Sequence, residues 1–272
     1  MMDIRYTKID PSGNISLIVD SFVPRIKQSR VAAELMARDE SAEQVGFLEK
    51  PEDDRCLVRL QMMGGEFCGN ASLSAAAVML RASGMPAGIP CELMLEVSGA
   101  PDAVKVSGSM NENGTFEGSV SMPLPESISE FCFFDGFECY TLPLVRFPGI
   151  CHAIVSADAL TKASAERLIG QWCSQLKAEA LGLMFFDKAS DRLEPLVYVA
   201  STGTAVWEGS CASGTAAIAA YLSELDGERA DITLEQPRGR LSAGARFSGG
   251  MVRELTLRGS AVSMGEYSVE LP

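Results

Sequence analysis

Apolar residues recur at helical spacing in two stretches, Lys27 to Arg38 and Leu160 to Glu179, and predict amphipathic helices at matching places in the two halves of the chain. Two further segments, Ala71 to Arg81 and Ala216 to Leu222, are apolar almost all round and run on to Gly84 and Gly227, as helices that close in a left-handed turn do. A helix without a polar face must be wrapped by its own domain. Strand-like stretches, Cys56 to Met63 and Pro195 to Ala200, precede these two segments, and the alternation from Ala261 to Leu271 predicts a final strand. Each half therefore reads as strand, helix, strands, helix, strands.

The two halves also share short patterns in the same order. Pro11-Ser12-Gly13-Asn14 before the run Ile15 to Val19 is echoed by Pro148-Gly149-Ile150-Cys151-His152, which sets Asn14 against His152 at an offset of 138 residues. Val45 to Glu49 is echoed by Met184 to Asp187, and Leu95-Glu96 by Leu234-Glu235. Cys68-Gly69-Asn70-Ala71-Ser72 and Cys211-Ala212-Ser213-Gly214-Thr215 both lead into alanine-rich segments, at an offset of 143 residues. A common offset points to duplication into two like α/β halves. The proline pair in Met122-Pro123-Leu124-Pro125 marks the boundary. The expected organisation is 1–124 with Cys68, 125–260 with Cys211, and 261–272 as a strand returning to the first half.

Charge narrows the partners. A formal net charge of -13 with no basic, aromatic-interleaved run argues against nucleic acid and anionic membranes. Neither a signal-peptide pattern nor an apolar stretch of membrane-spanning length is present, so the expected location is the cytoplasm. Eight cysteines without a CxxC in such a chain argue against both a disulfide framework and a cysteine-rich zinc site, and most of the thiols are expected in the core.

Cys68 and Cys211 stand apart from that expectation, because each falls just before a buried helix. A helix start offers unpaired N–H groups and a positive dipole end, which lower a thiol pKa from about 8.5 and receive a carboxylate. Gly69 and Gly214, with Asn70 and Ser213, keep the backbone open to a close approach. Two such thiols across a cleft suit inversion at an amino-acid α-carbon, one removing the proton and the other supplying one to the opposite face. No metal and no cofactor are expected: there is no dinucleotide fingerprint or Walker loop, and lysines such as Lys105 and Lys188 lack the glycine-rich setting of a pyridoxal site.

The motifs Glu66-Phe67-Cys68-Gly69-Asn70, Trp207-Glu208-Gly209-Ser210-Cys211-Ala212-Ser213-Gly214-Thr215-Ala216 and Pro11-Ser12-Gly13-Asn14 resemble the diaminopimelate epimerase superfamily. Within it, Glu43-Gln44-Val45-Gly46-Phe47 and the second cysteine motif are similar to the cofactor-independent histidine racemases of opine-metallophore biosynthesis. The resemblance implies an α/β (α+β) fold of two pseudo-symmetric halves, each a barrel-like sheet around a central helix. It also implies Cys68 and Cys211 as the catalytic pair, Asn14, Glu43, Gly69, Asn70, Glu208, Ala212 and Ser213 as substrate-binding residues, a small amino acid as ligand, and a homodimer. Gly209 replaces the arginine that diaminopimelate epimerases place after the glutamate, and Gly149-Ile150-Cys151-His152 replaces their G-N-P-H turn, which favours a substrate with one stereocentre.

Other readings stay open at this point. Glu43 and Glu208 are alternatively solvated charges, and His152 a structural imidazole. The chain could act on diaminopimelate or another amino acid. A hydrolase built on Cys211 and His152, or an amino-acid binding protein without catalysis, are the remaining alternatives.

Overall fold

The computed structural model describes residues 1–156 and 158–271. The chain divides into two compact units, one formed by Met1–Ser121 together with 258–271, the other by Met122–Leu257.

In the first unit, strands β1 (Met2–Asp10), β2 (Ser16–Val19), β3 (Gln44–Glu49), β4 (Val58–Met62), β5 (Cys91–Val97), β6 (Val104–Met110) and β7 (Thr115–Ser121) follow one another around a sheet. The long final strand β16 (Met251–Leu271) closes it: β7 neighbours β16, and Met2 to Asp10 pair antiparallel with Leu271 to Val262. The result is an eight-stranded barrel. Helix α2 (Gly69–Ser83) packs against β1, β2, β5, β6 and β7. Every residue of α2 from Gly69 to Val78 is buried, which explains its missing polar face. Helix α1 (Arg25–Met36) lies over β3 and covers Leu17, Val19, Val45 and Phe47 with Val31 and Leu35.

The second unit repeats this plan. Its sheet runs through β8 (Ser127–Phe134), β9 (Cys139–Phe147), β10 (Ile150–Val155), β11 (Ala180–Asp187), β12 (Arg192–Val199), β14 (Arg229–Gln236) and β15 (Gly239–Ser248) to the start of β16, with β13 (Thr204–Trp207) paired to β12. Helix α4 (Ala212–Asp226) packs against β9, β10, β14 and β15, and α3 (Lys162–Leu176) against β8, β11, β12 and β13. The same two parallel pairings recur: β2 with β3 and β10 with β11, then β4 with β5 and β12 with β14. The fold is thus the α+β arrangement of barrel-like halves around central helices. Both central helices end as the sequence indicates, at Gly84 (φ 66°) and Gly227 (φ 69°).

Three expectations need correction. Helix α4 begins four residues before Ala216, because Ser213, Gly214 and Thr215, poor helix formers in mid-helix, are used in its first turn. There the Thr215 hydroxyl donates to the Cys211 carbonyl (2.8 Å). Strand β13 was not anticipated. The third correction concerns disulfides: Cys132 and Cys139, both exposed, are joined across the β8–β9 hairpin with their Cα atoms 5.7 Å apart. Hairpin pairing brings together two cysteines that sequence spacing alone does not connect. Among the described residues no helix is long and apolar enough to cross a membrane.

Candidate active site

Both singled-out cysteines are helix N-caps with extended backbones. Cys68 (φ -135°, ψ 113°) caps α2 and accepts the N–H of Ala71 on its sulfur at 3.4 Å; Cys211 (φ -120°, ψ 110°) caps α4 and accepts the N–H of Gly214 at 3.3 Å. In each helix this satisfies the third of the first-turn donors and leaves the N–H groups of the first two residues without partners inside the helix. Those are Gly69 and Asn70 in α2, and Ala212 and Ser213 in α4. The hydroxyl four residues after each cap, Ser72 or Thr215, bonds back to the cap carbonyl at 2.8 Å. One local design has been made twice.

Each cap is also held from the strand that follows its helix. In the first unit the Ser98 hydroxyl donates to the Glu66 carbonyl and accepts from Met62 N–H, and Gly99 (φ 73°) lies so close to Glu66 and Phe67 that a side chain there would collide with their backbone. In the second, Gln236 accepts the Cys211 N–H (2.8 Å) and donates to Thr215, while Arg238 N–H bonds the Gly209 carbonyl.

Around Cys68 the first unit gathers an oriented chain of amides. The thiol donates to Gln44 Oε1 (2.9 Å), and Gln44 Nε2 donates to Ser16 Oγ (2.8 Å) and to Asn14 Oδ1. Asn14 Nδ2 in turn donates to Glu43 Oε2 (2.7 Å). A carboxylate only accepts, so Glu43 fixes which way Asn14 points, and Asn14 with Ser16 fixes Gln44. Asn14, Gln44, Ser16 and Asn70 are all buried, and Asn70 Oδ1 has no hydrogen-bond partner among the described residues. Glu43 is thus joined to Asn14 rather than being a lone solvated charge.

The surroundings of Cys211 differ. Its sulfur lies 3.6 Å from Ser213 Oγ, whose other neighbour is His152 Nε2 at 2.9 Å. Burial pushes the Cys211 thiol well above the ordinary thiol range; the negative charge of half-buried Glu208 and its hydrogen bond with the thiol add to this, and the hydrogen bonds from Ser213 and Gly214 oppose it. This overturns the expectation of a lowered pKa at this helix start, because loss of water around the sulfur outweighs the N–H groups. Burial likewise holds the His152 imidazole at about 3, so it is neutral near pH 7. The imidazole nitrogen meets Ser213 and not the Cys211 sulfur, so the Cys-His pair required by the hydrolase reading is not formed.

The structure therefore brings Asn14 and Glu43 to Cys68 through Gln44, and Glu208, Ser213 and His152 to Cys211. Sequence reasoning missed the roles of Gln44, Ser16 and Gln236. The only signal for Gln44 was its place beside Glu43 at the start of β3.

Comparison with known proteins shows the family and the fold. The family model for the histidine racemase CntK N-terminal domain matches residues 3–266. A histidine racemase from Fusobacterium nucleatum subsp. nucleatum is 34% identical over 247 residues, covering 87% of each chain. A histidine racemase from Staphylococcus aureus is 28% identical over 247 residues, covering 88% of this chain and 87% of the relative. Among solved structures, a hydroxyproline epimerase from Agrobacterium vitis with bound trans-4-hydroxy-L-proline superposes with a TM-score of 0.72 at 13% identity, over 98% of this chain and 92% of that one. The chain belongs to the histidine racemase CntK N-terminal domain family.

Proposed function

We propose that the protein is a cofactor-independent histidine racemase in which Cys68 and Cys211 act on opposite faces of one α-carbon. The observation that carries this reading is the duplicated cap: two repeated halves each end a loop in a cysteine whose sulfur sits at the first turn of a buried helix. One sulfur, as thiolate, takes the α-proton; the other, as thiol, delivers a proton to the opposite face, and the roles exchange in the reverse direction. The α-proton is a very weak acid, so charge that develops on the carboxylate must be met by fixed donors. The N–H groups of Gly69, Asn70, Ala212 and Ser213, which have no acceptor inside their own helices, are suited to that.

In the same reading Glu208 accepts the substrate ammonium, and Asn14 and Glu43 bind on the Cys68 side. Histidine as substrate rests on the relatives, which are histidine racemases. The test is incubation of the purified protein with each L-amino acid and with diaminopimelate, followed by chiral chromatography. Preferential formation of D-histidine is the expected result. Faster inversion of another amino acid, or none of any, would refute the assignment.

A further inference from the structure

His152 is the sole histidine of the chain and lies within β10 with no solvent exposure. Its two ring nitrogens differ sharply. Nε2 is 2.9 Å from Ser213 Oγ, whereas Nδ1 is buried and has no hydrogen-bond partner among the described residues. Nδ1 faces Gly182 so closely that a Cβ there would collide with it. A neutral imidazole has one proton to place. On Nδ1 it would leave a buried N–H unsatisfied while Nε2 took the Ser213 hydrogen; on Nε2 it makes a hydrogen bond and leaves only a bare lone pair. Orphaned buried donors are the rarer outcome, so the proton belongs on Nε2.

That choice determines what Ser213 does. With its oxygen accepting from Nε2–H, the hydroxyl hydrogen is free to point at the Cys211 sulfur, 3.6 Å away. Together with the Gly214 N–H it gives a buried sulfur near Glu208 two donors when it is anionic. We propose that His152 is a positioning residue for Cys211: its imidazole, protonated on Nε2, donates to Ser213 and commits the Ser213 hydroxyl to donate to the sulfur. Ser213 lies beside Cys211, whose thiol is also hydrogen-bonded to the Glu208 side chain, while the Cys68 thiol donates to the Gln44 amide oxygen. Removing the Ser213–sulfur bond should therefore act on Cys211 alone. The inference rests on the proposed function only in giving that sulfur a proton-transfer task.

Because the chain has one histidine, protein grown with ¹⁵N-imidazole histidine and kept free of substrate shows one pair of ring nitrogens by NMR. At pH 7 the expected spectrum is that of the neutral Nε2–H tautomer; an Nδ1–H tautomer or an imidazolium would overturn the proposal, and no variant has to fold. A second readout is the reaction of Cys211 with iodoacetamide at fixed pH, followed by mass spectrometry. Ser213→Ala and His152→Leu should each slow it about fivefold, the double variant no more than either, and His152→Gln, whose amide N–H can stand in for Nε2–H, should recover most of the rate. Additive losses, or no recovery with glutamine, would overturn the relay. A spectrum and alkylation rates as expected from a protein that racemises no amino acid would support the relay while refuting the proposed function.

Discussion

The Cys68 thiol donates its hydrogen to the side-chain oxygen of Gln44 at 2.9 Å, and Gln44 cannot turn its amide nitrogen to the sulfur without giving up its bonds to Asn14 and Ser16. Gln44→Leu should consequently do two kinds of damage. It strands buried polar atoms on Asn14 and Ser16, at a cost of roughly 2–3 kcal/mol in urea unfolding, and it releases the thiol, lowering kcat at least tenfold. Wild-type stability and kcat in Gln44→Leu would contradict the network.

Replacing the caps separates stability from chemistry. Cys68→Ala and Cys211→Ala each lose an N-cap acceptor, expected to lower stability by about 1 kcal/mol, whereas the serine variants keep an acceptor and should unfold close to wild type. All four should lose nearly all racemisation, because a serine hydroxyl does not ionise in this range. Racemisation within tenfold of wild type in any of them would remove the two-thiol mechanism.

Acid sensitivity should follow from His152. Its folded pKa, about 3, lies below the unfolded value of about 6.5, so the unfolded chain binds a proton that the native state refuses. Stability is fully present above about pH 6.5 and is lost as the pH falls from there toward 3, with this residue contributing a slope of about 1.4 kcal/mol per pH unit. Urea titrations at pH 7.5 and 5.5 on wild type and His152→Phe check it: the variant should lose that part of the pH dependence. An unchanged slope would mean that other groups account for the acid sensitivity.

The Cys132–Cys139 link lies in an exposed hairpin, in none of the groups that surround Cys68 or Cys211. Cys132→Ser should leave the rate of racemisation unchanged. Closing so short a loop stabilises by about 2 kcal/mol, which reductant should remove from the wild type but not from the variant.

Much of this was legible before any coordinates, for physical reasons that can be named. A run such as Ala71 to Arg81, apolar almost all round, reads as a wrapped helix, and Cys68 just ahead of it stands at the helix start. Offsets between the repeats located the second cap from the first. Contacts made by sheet register stayed hidden. Gln44 reaches Asn14 and Ser16 only because β2 and β3 pair in parallel with Ser16 opposite Gln44. His152 is similarly set beside Gly182 by the pairing of β10 with β11. The thiol electrostatics failed for a related reason: a dipole at a helix start is visible in sequence, but the depth at which Cys211 is buried is not.

Early turnover in D₂O tests the two-base claim most directly. The thiol that protonates the product carries a solvent-derived proton, whereas the thiol that took the substrate proton keeps it until release. From L-histidine at low conversion, D-histidine should carry one α-deuterium while the remaining L-histidine carries almost none, and the pattern should invert when the reaction starts from D-histidine. Equal early labelling of both enantiomers would instead show one base exchanging on both faces, and the complementary roles proposed for Cys68 and Cys211 would not stand.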